Sequence, residues 1–136
     1  MDVERARTFI REHHQAVMLT YRRDGSPQLS PVACSVDADG FVVVSTRETA
    51  AKAKNLRRDP RVALCVMSDG FYGEWIQVEG TATVVALPDA MDPLVEYYRS
   101  IRGEHPDWDD YRSAMRREQR VVVRVELTRA GPDASG

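Results

Sequence analysis

The sequence lacks a long apolar run, an excess of charge of one sign and closely spaced cysteines. No stretch is apolar over the roughly 20 residues that a membrane span requires. The amino terminus, Met-Asp-Val-Glu-Arg-Ala-Arg, has no apolar signal-peptide core. We therefore expect a cytoplasmic protein that does not enter a membrane. The 19 basic and 21 acidic residues are interspersed and give a net charge of -2, which argues against a nucleic-acid partner.

Patterns typical of metal sites and disulfides are also missing. Cys34 and Cys65 each lie in an apolar run, without a Cys-x-x-Cys pair or a histidine at ligand spacing, which predicts reduced core thiols. His13 and His14 are adjacent, so on a helix they point in different directions. The acidic segment 104–110 lacks the glycine and terminal glutamate of a calcium loop. We expect no metal, and we expect this segment to cap a helix that begins at Asp107.

Lysine is scarce, and its position is informative. Lys52 and Lys54 are the only lysines, and every other basic side chain is an arginine. Both lie in segment 46–60, which follows the apolar run 41–45 and predicts a helix. The first turn of a helix offers unpaired N–H groups and the positive end of the backbone dipole, so this segment is a candidate phosphate site. The alternative is an ordinary amphipathic helix with its basic face in water.

Length and composition predict one domain, 1–129, followed by a short, polar, disordered tail, 130–136. Gly80 lies inside a strand and predicts a bulge or bend. Strands are predicted over 16–21, 28–36, 41–46, 61–67, 75–87 and 120–128. Helices are predicted from Asp2 to about His13, between Thr46 and Asp59, from Pro88 to Gly103, and from Asp107 to about Glu118.

This order of elements predicts a mainly β protein, a six-stranded antiparallel β-barrel with inserted helices. Helices that are inserted between hairpins, and do not alternate with strands, argue against a doubly wound parallel sheet. A barrel this small fills its interior with side chains. A ligand as large as a flavin would then lie outside the barrel, and a groove between subunits is the obvious place.

The sequence resembles the pyridoxamine 5'-phosphate oxidase superfamily of FMN-binding split barrels. The matching elements are Ser30-Pro-Val-Ala-Cys-Ser35, Ser45-Thr46, Ala51-Lys52, Asp59-Pro60 and Val78-Glu-Gly80. Within the superfamily it is most similar to the branch of probable enzymes that use the deazaflavin coenzyme F420. The segments that carry this likeness are Gly25-Ser-Pro-Gln-Leu-Ser30, residues 52–61 and Tyr98-Arg-Ser-Ile-Arg-Gly-Glu-His-Pro-Asp-Trp-Asp-Asp-Tyr-Arg112.

The resemblance implies a cofactor site. It implies that the backbone of Ser30, Pro31, Val32 and Ala33 faces the tricyclic ring, and that Ser45, Thr46 and Lys52 hold the phosphate. Trp75 falls where the FMN oxidases have a ring-contacting glutamine. Ala51 departs from the pattern, because those oxidases have a phosphate-binding arginine there. Since the loss of a bidentate ligand weakens phosphate binding, we favour F420 over FMN, with Arg47, Arg57 or Arg58 as further cations for its longer tail.

The resemblance also implies a homodimer with sites at the subunit interface, in which reduced F420 transfers hydride to an unsaturated small molecule. The cofactor supplies the chemistry, so no catalytic acid or base is assigned. An FMN-dependent enzyme of the same type is the alternative, as is a non-catalytic carrier of flavin, F420 or haem.

For two groups of aromatic residues, the sequence leaves more than one role open. Trp108 and Tyr111 are predicted to pack the helical insertion and less readily to line a substrate pocket. Phe71, Tyr72 and Trp75 form a patch that fits either stacking on a ring or substrate, or core packing and dimer contact.

Overall fold

A computed structural model of the chain describes residues 1–135. The strands are β1 (Gln15–Tyr21), β2 (Pro27–Val36), β3 (Val42–Arg47), β4 (Arg61–Met67), β5 (Glu74–Val85) and β6 (Arg120–Ser135). The helices are α1 (Val3–Glu12), α2 (Ala51–Arg58), α3 (Met91–Arg102) and α4 (Trp108–Arg117). The strands form a closed antiparallel barrel in the order β1-β2-β3-β6-β5-β4, which confirms the predicted fold class.

The barrel interior is the main core. Met18, Leu64 and Ile76 are among its fully buried side chains, and Ala6 and Ile10 of α1 belong to the same cluster. The α3 and α4 helices pack on the outside of the barrel against β3 and β6, in a second apolar cluster. This explains why three consecutive valines of β3, 42 to 44, are all buried: alternate side chains point into the barrel or toward the helices.

The ladder between β2 and β3 is unusually short. Only residues 34–36 of β2 pair with residues 42–44 of β3. Residues 27–33 of β2 pair with β1, and residues 45–47 of β3 pair with β6. The two strands therefore separate before Cys34 in β2 and after Val44 in β3. They leave an opening in the barrel wall, which we call the split.

The element boundaries follow the prediction closely, with one larger difference. Residues 130–135, expected as a disordered tail, continue β6 and pair with residues at the start of β5. Their polar composition does not predict a strand, because the pairing of this segment with β5 is made by backbone groups and not by apolar side chains. Gly136 lies outside the described residues. Across residues 1–135, none of the helices has the length and apolar character to cross a membrane.

Gly80 lies at an irregularity in the β5–β6 ladder, where the register shifts between Glu79 and Gly80. This confirms the bulge that the sequence predicts. A Cβ atom at this position would overlap the backbone carbonyl of Glu126 and the side chain of Val125. Only glycine allows β6 to approach β5 this closely.

We expect Gly80→Ala to lower the free energy of unfolding by about 1 to 3 kcal/mol, the usual cost of overpacking. Chemical denaturation would measure it. Gly70→Ala is the matched control, since a Cβ there meets nothing closer than 3.9 Å. Equal stability of the two variants would contradict the close approach.

Candidate functional site

The α2 helix is fixed to the barrel by a buried polar side chain. Asn55 is 6% exposed, and its amide nitrogen donates to Thr20 Oγ1 of β1 at 3.1 Å. Arg58 donates to Asn55 Oδ1 at 3.0 Å and to the backbone carbonyl of Tyr21 at 2.8 Å. Buried amides need such partners, because an unmade hydrogen bond there is costly. These hydrogen bonds fix the position of α2 relative to β1, and thereby the position of its first turn near the split.

Lys52 reaches across the split. Its Nζ donates to Ser30 Oγ of β2 at 3.2 Å, and the lysine side chain is half-buried. Burial, and then the positive charge of Arg120, lower the pKa of Lys52 below that of an ordinary lysine. The sequence predicted Lys52 as a phosphate ligand and Ser30 as part of the ring-facing strand. The structure brings these two side chains together.

Ser45 and Thr46 point to opposite sides of β3. Thr46 is 4% exposed, on the same face as Val42 and Val44 of the barrel core, whereas Ser45 is half-buried on the outer face. Their side chains therefore do not converge on one point. Ser45 lies in a hollow beside the split.

The start of α2 offers unpaired backbone donors. Ala50 precedes the helix and makes no side-chain cap hydrogen bond. Ala51, where an arginine was missing from the expected pattern, is exposed. The first-turn N–H groups of α2 thus suit an anion.

The arginines proposed from the sequence for the cofactor tail already have partners. Arg47 donates to Glu118 at 3.4 Å, and Arg57 donates to Glu48 at 2.8 Å. Arg58 is held by Asn55 and Tyr21, as described above. Of the three, Arg47 is nearest in the chain to Ser45 and Thr46.

The hollow beside the split has a volume of about 330 Å³. It is lined by strand residues Ala33, Ser45 and Arg120 and by insertion residues Tyr97, Tyr98, Ile101, Arg102, Tyr111 and Met115. Tyr97 donates its hydroxyl proton to the Ala33 carbonyl at 2.8 Å. Burial raises the pKa of Tyr97, and it raises the pKa of Tyr111 to about 12, so both hydroxyls stay protonated near neutral pH.

Tyr97, Arg102 and Arg120 line the hollow but are not among the site residues predicted from the sequence. Tyr97 and Arg102 lie on α3, within or next to the long segment that carried the resemblance. Arg120 is the first residue of β6 and belongs to no motif. Only the pairing of β6 with β3 brings it beside Ser45.

The remaining ring-strand residues lie along β2. Pro31 and Ala33 are exposed on its outer face, while Val32 is half-buried and packs against the barrel core. Trp75 lies elsewhere, in a groove with Phe9 and Asp133. Within one chain, the structure does not bring Trp75 to the split.

The other residues that the sequence singles out, in the acidic segment, the helical insertion and the apolar runs, have structural partners. Asp107 caps α4 by accepting from the backbone of Asp110 at 3.1 Å, as predicted. Trp108 and Tyr111 pack within the second core cluster, and Tyr111 also donates to the Leu94 carbonyl. Cys34 is fully buried, and this burial raises its pKa to about 12.

Phe71 and Tyr72 stack edge to face in the loop between β4 and β5 and are among the most exposed large apolar side chains, at 79% and 77%. The core-packing alternative therefore does not hold for these two residues within one chain.

Comparisons with known proteins agree with the barrel fold. The profile of the family described as pyridoxamine 5'-phosphate oxidase matches residues 3–131. The F420H(2)-dependent biliverdin reductase of Mycobacterium tuberculosis is 29% identical over 126 residues, covering 91% of this chain and 82% of that protein. A conserved hypothetical protein of Mycobacterium tuberculosis has a similar structure, with a TM-score of 0.78 and 25% identity over 99% of this chain and 85% of that one. A structure described as an F420 reductase has a TM-score of 0.68 and 21% identity, covering 91% and 94%.

Proposed function

The chain belongs to the pyridoxamine 5'-phosphate oxidase family, and on that premise we propose that it is an oxidoreductase that uses coenzyme F420 to reduce an unsaturated small molecule. The observation that carries the proposal is the split, where Lys52, Ser30 and the unpaired start of α2 meet at an open strand edge. The similarity to an F420H(2)-dependent reductase supports the choice of cofactor.

The residues of the split fit a phosphorylated ring cofactor. Lys52 and the first turn of α2 offer charge and N–H donors for a phosphate group. Residues 30–33 of β2, whose edge toward β3 is unpaired before Cys34, offer backbone groups along which a flat ring can lie. Reduced F420 bound there would supply a hydride from its C5 carbon.

The protein's own contribution would be to orient the two reactants and to exclude water. The hollow beside the split has aromatic walls from Tyr97, Tyr98 and Tyr111, so it suits a flat, unsaturated acceptor. Because the hydroxyls of Tyr97 and Tyr111 stay protonated near neutral pH, they donate hydrogen bonds and do not act as bases.

An FMN-dependent enzyme is the second candidate, since FMN is the cofactor of the family's namesake oxidases. Ala51 disfavours it, because the phosphate of FMN loses a bidentate arginine ligand there. F420 carries its phosphate in a longer phosphodiester with an oligoglutamate tail, which leaves more room for other cations.

Purified protein separates the candidates. We expect a colourless sample whose tryptophan fluorescence is quenched by added F420, and which oxidises reduced F420 in the presence of an acceptor from a screen of unsaturated compounds. A yellow sample with an FMN spectrum would favour the second candidate, and a Soret band would indicate haem. Binding of F420 without turnover of any acceptor would favour a carrier.

Lys52 can be tested directly. We expect Lys52→Ala to weaken F420 binding by about 1.5 to 3 kcal/mol, the range for a hydrogen bond to a charged group. The unfolding free energy should change less than the binding free energy, because the substitution removes the hydrogen bond to Ser30 but also a cation whose charge is disfavoured by burial. Lys54→Ala, an exposed position on the same helix, is the control. Fluorescence titration that gives equal affinities for both variants would remove Lys52 from the site.

We further propose that two copies of the chain form a homodimer through the outer face of β1, β2 and β4. The α3 and α4 helices pack against β3 and β6, whereas the outward apolar side chains of β1, β2 and β4 belong to neither apolar cluster. On this outer face, Leu19 lies opposite both Leu29 and Ala63, and Val17 opposite both Pro31 and Cys65. Leu29 is 59% exposed. An apolar sheet face of this kind marks an interaction surface, and a partner across it lies beside the split.

We expect Val17→Asp to convert the dimer to a monomer and to weaken F420 binding, because a carboxylate would be buried in the interface without a partner. Thr83→Asp, at an exposed position of β5, is the control. Size-exclusion chromatography and fluorescence titration would measure both effects. A wild-type monomer that binds F420 tightly would contradict the dimer proposal.

A further inference from the structure

Arg120 stands out as a cation beside the split that no sequence motif identifies. It is the first residue of β6 and pairs with Arg47 of β3. Its side chain is 28% exposed and lines the hollow together with Ser45 and Ala33. After burial, its positive charge contributes to the lowered pKa of Lys52.

The position of Arg120 is tightly determined. Glu118 Oε1 accepts from Nε of Arg120 at 3.0 Å and forms an ion pair with its Nη2, also at 3.0 Å. Between them Gln119 has a φ of 52°, in the left-handed region that residues other than glycine seldom adopt. The Gln119 carbonyl accepts from the backbone N–H of Glu48 at 2.9 Å. This turn and the carboxylate hold two of the three guanidinium nitrogens, and the contacts within residues 1–135 leave Nη1 available.

The charges around the split are unbalanced. Arg47 and Arg120 pair across β3 and β6, and Glu48, between Arg47 and the start of α2, donates its backbone N–H to Gln119, so the start of β6 lies beside the connection that leads to Lys52. Within residues 1–135, the carboxylate that binds Arg47 and Arg120 is Glu118. Lys52 itself donates to a neutral hydroxyl, Ser30 Oγ. Two half-buried cations that act on each other without a carboxylate between them repel, and a shared anion relieves this repulsion.

We propose that Arg120 and Lys52 bind the same phosphate group, so that β6 supplies the positive charge that Ala51 fails to supply from α2. The proposal rests on the proposed function for the identity of the phosphate as that of the cofactor. Arginine fits the role because its planar fork binds phosphate oxygens directly while its other edge stays on Glu118. The phosphate would thereby connect α2 to the start of β6.

The test compares Arg120→Ala with Arg129→Ala. Arg129 also lies on β6, is 76% exposed and has an ion pair only at 3.6 Å, with Glu79. We expect Arg120→Ala to raise the Kd for F420 about 10- to 100-fold, as the loss of a charged hydrogen bond does, and Arg129→Ala to leave it unchanged. Arg120→Lys should fall between the two, and it retains a cation if the alanine variant folds poorly. Equal Kd values for wild type and a folded Arg120→Ala would overturn the proposal.

A second readout does not depend on the cofactor. Carbon-13 labelling of lysine gives signals from only two side chains, and Lys54→Arg assigns them. In the apoprotein, Arg120→Ala should raise the pKa of Lys52, because a neighbouring positive charge is removed. Inorganic pyrophosphate should shift the Lys52 signal in wild type and in Arg129→Ala, and much less in Arg120→Ala.

The two readouts distinguish the failure of this proposal from failure of the proposed function. If pyrophosphate shifts Lys52 in an Arg120-dependent way but neither F420 nor FMN binds, the shared phosphate site stands and the proposed function falls. If F420 binds and is turned over equally in Arg120→Ala, the function stands and the role of Arg120 falls. A pyrophosphate response that is the same in all variants also rejects Arg120.

Discussion

The short ladder between β2 and β3 is the constraint on which the rest of the site depends. A closed barrel normally satisfies every backbone group within its wall. Here only residues 34–36 and 42–44 pair, so the edge of β2 before Cys34 must find other partners. One is the Tyr97 hydroxyl, which donates to the Ala33 carbonyl. The Lys52–Ser30 hydrogen bond spans the same opening through side chains. The split is therefore a place where the fold itself requires polar partners from outside the sheet.

Much of the architecture was predictable because it rests on local patterns. The strands β1 to β5 follow from alternating or continuous apolar runs, and the bulge at Gly80 follows from a glycine inside such a run. The extension of β6 through residues 130–135 was not predictable in the same way, because Ala130, Pro132 and Asp133 show no strand-like alternation. The pairing of this segment with β5 depends on where the barrel places the two strands.

The residues of the candidate site divide in the same way, into those that a motif predicts and those that only the sheet brings together. Lys52 and Ser30 were identified from motifs, and the structure places them in contact. Arg120 was not, because it is distant in sequence from Lys52 and is placed beside the end of β3 only by the β3–β6 register. Thr46 shows the opposite limitation: its motif suggests a phosphate ligand, but strand alternation turns its side chain toward the barrel core, while Ser45 faces the hollow. A motif predicts which residue types are present, whereas the direction in which each side chain points depends on the sheet.

The two outer surfaces of the barrel bear on the proposal that two copies of the chain form the whole site. The α3–α4 insertion covers β3 and β6 and encloses the hollow on one side of the split. The outward apolar side chains of β1, β2 and β4 belong to neither apolar cluster, and Leu29 and Pro31 among them lie on the strand that borders the split. Trp75, which falls where the FMN oxidases have a ring-contacting glutamine, lies in a groove with Phe9 and Asp133 in its own chain. In the proposed dimer, an aromatic residue in that position would reach the ring cofactor of the neighbouring copy, so the apolar face that pairs the two copies would also complete the site.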